Sequence, residues 1–349
     1  MKTIKTALLS YGMSGKVFHA PFLEMHPGFE LTGSWERSKK LIQQDYPDVK
    51  SYGSLEELLA DDVDLVIVNT PVDTHYEYAK KVLEAGKHAL VEKAFTTTVA
   101  QAEELDALAK QKGLKLAVFQ NRRWDSDLKT VKQVLDQKVL GEIVEAEFRF
   151  DRYNPNLSPK AWKEDNNPGA GILMDLGSHL IDQALYLFGF PEAVFADIRR
   201  LRENSQVDDD FSIMLYYPDK RVKLHSGFFV REGVPAYTLH GRKGSFLKQR
   251  GDIQEDVLKT GQKPNLEDWG TEPEEKAGFL HTEHDGELFR GHIPTQQGNY
   301  YSLFDGLYKS ITENIQEPVT AEDGIRVLKI IAAAQQSSAQ RKVVDLGAV

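Results

Sequence analysis

The sequence predicts an α/β Rossmann domain followed by an α+β domain with an open, mainly antiparallel sheet. Between Ile4 and Phe119, short apolar runs alternate with stretches of helical period, the pattern of βαβ units. After Asn121 the apolar runs become longer, alternating, and rich in β-branched and aromatic residues, which favours hairpins. The 349 residues suffice for two cores of ordinary size, which we place in domains 1–122 and 123–349.

Five strands and four helices are expected in the first domain. The strands are the apolar runs Ile4–Ser10, Phe29–Trp35, Asp64–Asn69, His88–Glu92 and Lys115–Phe119. The helices are the intervening stretches Val17–Met25, Ser54–Ala60, Thr74–Ala85 and Val99–Gln111. Gly86 and Gly113 stand where helix C-caps favour glycine. Right-handed crossovers then arrange these units into one doubly wound layer.

The second domain is expected to contain five strands and two helices. The strands are Val144–Phe150, Val194–Leu201, Phe211–Tyr217, Lys220–Val230 and Ala236–His240. The helices are Asp175–Leu187 and Ala321–Ala339. Residues 250–298 are polar and rich in Gly, Pro and Glu, so we expect little regular structure there.

Composition excludes several classes of protein and of site. The 53 acidic and 43 basic residues give a formal charge of −10, which argues against nucleic acid as a partner. The absence of cysteine excludes disulfides and thiolate sites. The first ten residues lack a signal-peptide pattern, and no apolar run is long enough for a membrane helix. We therefore expect a cytoplasmic protein without a membrane association.

A turn after the first strand matches most of the G-x-G-x-x-G dinucleotide fingerprint. Its residues are Ser10, Tyr11, Gly12, Met13, Ser14 and Gly15, with serine in place of the first glycine. Gly12 would let the backbone approach a pyrophosphate, and Gly15 would let the following helix pack closely on the strand. Glu36 ends the second strand about twenty residues on, where an acidic group binds the ribose hydroxyls. The alternative is a glycine turn without a ligand and a solvated strand-end charge.

Both nicotinamide dinucleotides stay open as cofactors. Glu36 favours NAD, because a carboxylate repels a 2′-phosphate. Arg37, Ser38 and Lys39 follow directly and could bind that phosphate, which favours NADP. Of the two cofactors, NAD is slightly favoured.

Two further motifs resemble those of the glucose–fructose oxidoreductase, inositol dehydrogenase and rhizopine-catabolism family. They are Val91-Glu92-Lys93 and the stretch from Gly169 to Asp182, and the likeness extends over nearly the whole chain. The resemblance implies NAD(P)-dependent oxidation or reduction of sugars, inositols and related polyols. It also implies catalytic roles for Lys93, Asp175 and His179.

The chain departs from the family pattern directly after the lysine. The family has proline there, often in a cis bond, whereas this chain has Ala94. A cis bond before alanine costs several kcal/mol. We therefore expect a different local turn.

The residue types suit alcohol dehydrogenation. Asp175 and His179 are four residues apart on one helical face, and imidazole titrates near neutral pH. We hypothesise that His179 is the general acid/base, that Lys93 polarises the same oxygen, and that Asp175 holds the substrate or relays charge. We expect Lys93 and His179 to meet in one cleft. The alternatives are a surface hydrogen bond or half of a metal site; His281, His284 and His292 do not complete a ligand cluster, so no metal is expected.

Other candidate residues line the expected cofactor and substrate sites. Those for the cofactor include Glu92, which precedes the lysine, and four residues at strand ends: Thr70, Pro71, His75 and Asn121. Those for a polyhydroxylated ring are aromatic residues and nearby donors: Arg123, Trp124, Tyr153, Asn154 and Trp162. Helix capping and core packing are the alternatives.

The most consistent function is hydride transfer between a nicotinamide and a sugar, inositol or related small-molecule polyol. The alternatives are a non-catalytic NAD(P)-binding regulator and a reductase of a non-sugar carbonyl. One side of the second sheet is apolar and could need cover, so we expect a homodimer or homotetramer. Its apolar residues are Phe211, Ile213, Leu215, Leu224, Phe228 and Val230.

Overall fold

The structure, a computed structural model, describes residues 2–36, 39–158, 164, 167–284 and 286–347. The chain forms two units, each assembled from three segments. The first unit contains 1–121, 253–269 and 299–325; the second contains 122–252, 270–298 and 326–349. The single boundary expected after residue 122 is too simple, because two later segments return to the first unit.

The first unit is built on a parallel sheet of six strands. They are β1 (Ile4–Leu8), β2 (Phe29–Trp35), β3 (Lys50–Tyr52), β4 (Leu65–Val68), β5 (His88–Glu92) and β6 (Leu116–Phe119). They lie in the order β3-β2-β1-β4-β5-β6, and every pair is parallel. This order is that of a dinucleotide-binding Rossmann sheet, so the predicted fold is confirmed. The three-residue β3 was not predicted, because so short a strand shows no period.

Helices cover this sheet. A wide helical turn, Gly15–His19, leads into the first; the helices are Ala20–Met25, Ile42–Asp45, Leu55–Ala60, Val72–Glu84, Val99–Lys112, Gln254–Lys259 and Tyr301–Thr312. The last two come from the returning segments. Phe304 stacks on Phe22 with ring centroids 5.3 Å apart and lies 6.0 Å from Phe119. The returning segment therefore completes the aromatic core of the first unit.

The second unit contains a mixed sheet of nine strands. They are β7 (Ile143–Arg149), β8 (Ala193–Arg199), β9 (Asp210–Tyr216), β10 (Arg221–Gly227), β11 (Tyr237–Gly241), β12 (Gly244–Lys248), β13 (Gly278–His284), β14 (Glu287–Ile293) and β15 (Val344–Asp345). Their order is β14-β13-β12-β11-β7-β10-β9-β8-β15. The pair β7–β10 is parallel and the others are antiparallel, which confirms the mainly antiparallel sheet.

The expectation that residues 250–298 contain little regular structure is wrong. They include the helix Gln254–Lys259 and the hairpin β13–β14, which extends the sheet beyond β12. The residues of β14 are exposed or half-buried throughout, so this edge strand lacks the apolar alternation that identifies a strand in a sequence. The helices Ser126–Asp136 and Tyr301–Thr312 were also not predicted.

Helices cover one face of the second sheet. The helix Ser178–Phe188 continues a wide helical turn, Leu173–Gly177, and contacts β7 and β10. The apolar residues that we expected to need cover in β9 and β10 are buried: Phe211, Ile213, Leu215 and Leu224. The alternate residues are polar or partly exposed, and Lys223 pairs with Glu145 across β10 and β7 at 2.9 Å. The apolar face is therefore covered within the unit itself.

Candidate functional site

The side chain of Asn69, the residue that follows β4, holds the turn after β1 in place. The Asn69 amide accepts the Ser10 N–H at 3.0 Å and donates to the Ser10 carbonyl at 2.7 Å. The Ser10 hydroxyl accepts the Gly12 N–H at 3.2 Å. A Cβ on Gly15 would lie 2.3 Å from the Ser10 carbonyl oxygen, so only glycine fits there. Asn69 was not predicted as a site residue, although a polar residue directly after a buried strand is a usable signal.

This turn has the features that a dinucleotide needs. Gly12 and Met13 are exposed, and a Cβ on Gly12 would meet the protein only at 3.5 Å from the Ser10 hydroxyl. The helical segment that starts at Gly15 directs its amino end toward the turn, where N–H groups and the helix dipole favour a phosphate. The residues present therefore fit the pyrophosphate of NAD or NADP.

Glu92 ends β5 and is tied to that turn. Its Oε1 accepts hydrogen bonds from the Ser14 hydroxyl at 2.5 Å and from His19 Nε2 at 2.9 Å. Only 13% of its side chain is exposed. Burial raises the pKa of Glu92, but the His19 and Ser14 hydrogen bonds and the Lys93 charge outweigh it and leave the pKa below its usual value. Glu92 is therefore an anion next to the lysine.

The Lys93–Ala94 peptide bond is cis. The expectation that alanine would give a different turn from the family's proline is therefore wrong for this bond. His75 contacts the same turn: its Nδ1 lies 3.0 Å from the Ala94 carbonyl oxygen and its Nε2 lies 2.8 Å from that of Thr70. The His75 ring is fully buried and joins two backbone turns, and its expected contact with the cofactor stays a prediction.

The remaining cofactor candidates lie at strand ends of the first unit. Both Glu36 oxygens accept backbone N–H groups, from Leu41 at 2.8 Å and from Ile42 at 3.0 Å. Arg37 and Ser38 lie outside the described residues. The Thr70 hydroxyl lies 2.7 Å from that of Thr74. Pro71 is exposed before the helix Val72–Glu84, and Asn121 is buried after β6.

In the second unit, Asp175 and His179 lie on one continuous helical segment. Asp175 belongs to the wide turn Leu173–Gly177 and is half-buried, while His179 is 4% exposed. Asp208 holds the start of this segment, because its Oδ2 accepts the Leu173 N–H at 2.7 Å. A Cβ on Gly171 would lie 2.2 Å from Asp208 Oδ1, and the φ of Gly171 is +94°. Sequence reasoning missed Asp208.

Arg123 forms an ion pair with the helix Ser178–Phe188, which carries His179. Its Nε and Nη2 donate to the two Asp182 carboxylate oxygens at 2.9 and 2.7 Å, and the guanidinium lies 4.9 Å from the Tyr186 ring centroid. Two of its three guanidinium nitrogens bind this carboxylate, and the expected role of Arg123 as a substrate donor stays a prediction. Trp124 and Tyr186 line a shallow depression on the surface of the second unit.

The other predicted substrate residues lie in the segment after β7. Tyr153 and Asn154 are exposed, and the Arg231 guanidinium lies 4.1 Å from the Tyr153 ring centroid. The Asn154 N–H donates to the Phe228 carbonyl at 2.8 Å. Trp162 lies outside the described residues.

The described parts of the chain contain neither a cluster of metal ligands nor a helix that could span a membrane. No three His, Asp or Glu residues there are grouped to hold a metal ion. His281 and His292 lie opposite Arg290 and Phe279 in the hairpin β13–β14. None of the described helices is both long and apolar enough to cross a bilayer.

Comparison with known families covers most of the chain. Residues 4–120 match the model of the oxidoreductase family, NAD-binding Rossmann fold, and residues 132–346 match that of its C-terminal alpha/beta domain. The chain belongs to the GFO/IDH/MocA oxidoreductase family. The resemblance stated from the sequence is confirmed, and this oxidoreductase carries a Rossmann domain for NAD or NADP.

Full-length relatives and structures agree with this assignment. The oxidoreductase is 38% identical over 345 residues to scyllo-inositol 2-dehydrogenase (NADP(+)) IolW of Bacillus subtilis, covering 99% of this chain and 96% of the relative. It is 44% identical to an oxidoreductase structure from Bacteroides fragilis, with a TM-score of 0.91 and coverage of 99% and 100%. It is 37% identical to the YvaA oxidoreductase structure from Bacillus subtilis, with a TM-score of 0.96 and 99% of each chain covered.

Proposed function

We propose that the protein is a dehydrogenase that transfers a hydride between NADP(H) and a CH–OH group of an inositol or related polyol. The observation that carries the proposal is the hydrogen bond between Ser14 of the nucleotide turn and Glu92, the neighbour of Lys93. It ties the residue next to the proposed orienting ammonium to the turn that fits a dinucleotide. The full-length similarity to an enzyme named scyllo-inositol 2-dehydrogenase supports the polyol class.

Each residue has a defined task in this reaction. The bound nicotinamide supplies the hydride acceptor or donor. His179 takes the hydroxyl proton during oxidation and returns it during reduction, as a positioned imidazole does near neutral pH. Lys93 donates a hydrogen bond to the reacting oxygen and stabilises the negative charge that develops there. Asp175 accepts a hydrogen bond from a substrate hydroxyl.

The position of Glu36 supports NADP, against the slight lean to NAD drawn from the sequence. Its two oxygens accept the N–H groups of Leu41 and Ile42, so the carboxylate is already hydrogen-bonded within the protein. Lys39 and Lys40 are exposed beside it and would attract a 2′-phosphate. The name of the relative IolW includes NADP(+), which agrees with this proposal.

The test is a nicotinamide absorbance assay with the purified protein. We expect turnover of scyllo-inositol or a related inositol with NADP⁺, and a higher kcat/KM with NADP⁺ than with NAD⁺. A Lys93→Met variant is the control and should lose turnover. Tight cofactor binding without turnover of any polyol would favour the non-catalytic regulator. Preference for a non-sugar carbonyl in a competition assay would favour the reductase of a non-sugar carbonyl.

We also propose a homodimer or homotetramer in the cytoplasm. The residues of the outer sheet face include exposed Phe195 and half-buried Met214, which lie opposite each other on β8 and β9. Light scattering at micromolar concentration should give at least twice the mass of one chain. A single-chain mass would contradict the assembly but not the enzymatic activity.

A further inference from the structure

Three polar side chains of the first unit meet beside Lys93: Ser14, His19 and Glu92. We call them the Ser14–His19–Glu92 cluster. Ser14 and His19 both hydrogen-bond to Glu92 Oε1, at 2.5 and 2.9 Å, and Glu92 Oε2 accepts the Lys93 N–H at 3.2 Å. One carboxylate therefore links the nucleotide turn, the wide helical turn after it and the backbone of Lys93.

His19 is buried in aromatic surroundings. Its ring is fully buried, its centroid lies 4.4 Å from that of Phe119, and Phe304 lies 6.2 Å away. Its Nδ1 is buried and has no hydrogen-bond partner among the described residues. A buried N–H without an acceptor is costly, whereas a lone pair without a donor costs less. The hydrogen-bond pattern therefore assigns the proton to Nε2, which donates it to Glu92.

This arrangement suits the support of an anion. A buried carboxylate needs donors, and Ser14 and His19 supply two of them on one oxygen. If Glu92 took up a proton, the negative charge that strengthens the hydrogen bonds from Ser14 and His19 would be lost, and the anchor of the turn would weaken. The ionised state of Glu92 and the position of Ser14 thus depend on the donor from His19.

We propose that His19 is a positioning residue that holds Glu92, and through Glu92 fixes both the nucleotide turn at Ser14 and the backbone of Lys93. The importance of this role for catalysis rests on the function proposed above, since that function assigns Lys93 and the turn to a dehydrogenase. The role itself concerns dinucleotide binding, which can be measured without any substrate. The competing explanation is that His19 only fills space between Phe119 and Phe304.

Replacing His19 with leucine or glutamine separates the two explanations. Leucine fills the space but cannot donate, whereas the amide of glutamine can reach the place of Nε2 and donate to Glu92. His26→Leu is the matched control, because His26 is also buried in the first unit and hydrogen-bonds to the Gly28 N–H instead of the cluster. Dissociation constants for NADPH and NADH are measured by fluorescence titration of the full chain, and melting temperatures are measured for each variant.

We expect His19→Leu to weaken binding of the preferred dinucleotide about tenfold, the loss typical of one hydrogen bond to a charged group. The deficit relative to the wild type should grow as the pH is lowered, because loss of a donor raises the pKa of Glu92 and so favours its protonated form. His19→Gln should bind within about twofold of the wild type, and His26→Leu should bind normally even if its melting temperature falls.

Several outcomes would overturn the proposal. They are equal affinity of His19→Leu and the wild type, equal loss in His19→Leu and His19→Gln, or equal loss in His26→Leu. Should His19→Leu not fold, Glu92→Gln gives the same test, because it keeps the shape but not the charge, and normal dinucleotide affinity there would also contradict the role. Absence of polyol turnover would reject the proposed function, but it would not change what these titrations say about dinucleotide binding.

Discussion

Arg123 and Asp182 form a buried, two-pronged ion pair between the start of the second unit and the helix that carries His179. The two hydrogen bonds are 2.9 and 2.7 Å long, and the side chains are 8% and 2% exposed. Removing one partner would leave the other charge buried. We expect Asp182→Ala to lower the free energy of unfolding by about 3–5 kcal/mol, measured by urea denaturation. Arg123→Met with Asp182→Leu should cost less than Asp182→Ala alone; a larger loss in the double variant would contradict this explanation.

His179 is the proposed proton-transfer group. We expect His179→Ala to lower kcat at least about 100-fold, because general acid–base catalysis contributes that much. The dissociation constant of the dinucleotide should not change, since His179 belongs to the second unit and the nucleotide turn to the first. His240→Ala, an exposed histidine of β11, is the control and should keep full activity. Near-normal kcat in His179→Ala would remove His179 from the mechanism.

Asp208 lies outside the helical segment that carries His179 and accepts a hydrogen bond from the start of that segment. Asp208→Ala removes the acceptor of the Leu173 N–H, so we expect a loss of about 1–2 kcal/mol of unfolding free energy and a lower kcat. Asp208→Asn keeps an acceptor oxygen and should retain kcat. Equal kcat in both variants and the wild type would show that the cap does not position His179.

The charge of Asp208 also predicts a pH effect. Burial raises the pKa of Asp208, the Leu173 N–H lowers it, and the net shift is upward. A carboxyl whose pKa is raised by folding is most stabilising when protonated, below the unfolded pKa of about 3.9, and stability falls as the pH rises through the folded pKa. Asp208→Asn should remove this fall, and a denaturation series from acid to neutral pH measures it. A pH profile unchanged by the substitution would contradict it.

Substitution of Gly12 and substitution of Gly15 should cause two different defects. A Cβ at residue 15 collides with the Ser10 carbonyl at 2.3 Å, so Gly15→Ala should cost about 1–3 kcal/mol of stability as well as cofactor affinity. A Cβ at residue 12 has room within the protein but occupies the side from which a pyrophosphate would approach. Gly12→Ala should therefore keep the melting temperature and lose dinucleotide affinity. Normal affinity in Gly12→Ala would place the pyrophosphate elsewhere.

The sequence predicted the elements whose signals are local. The bounds of β2 and β5 agree with the structure, and Gly86 and Gly113 have positive φ values of 76° and 65° at helix ends, as their C-cap positions predict. In these cases the hydrophobic period, the length of the apolar run and the conformational preference of glycine are all determined by residues close together in the chain.

The residues that sequence reasoning missed act across long separations in the chain. Asn69 forms a hydrogen bond with Ser10, which is 59 positions away in the chain. His19 and Glu92 are separated by 73 positions, and Asp208 and Leu173 by 35. A polar residue has no local signal for a partner that only the tertiary fold brings near. The ion pair between Arg123 and Asp182 was missed for the same reason, because the two residues are 59 positions apart in the chain.

The late return of Phe304 to the first unit has a consequence for synthesis of the protein. The first unit is incomplete until residue 325 of 349 has left the ribosome, so its nucleotide-binding sheet cannot mature as an early, separate domain. A fragment ending at residue 122 would lack the ring that stacks on Phe22 and contacts Phe119. Such a fragment should aggregate where the whole polypeptide does not.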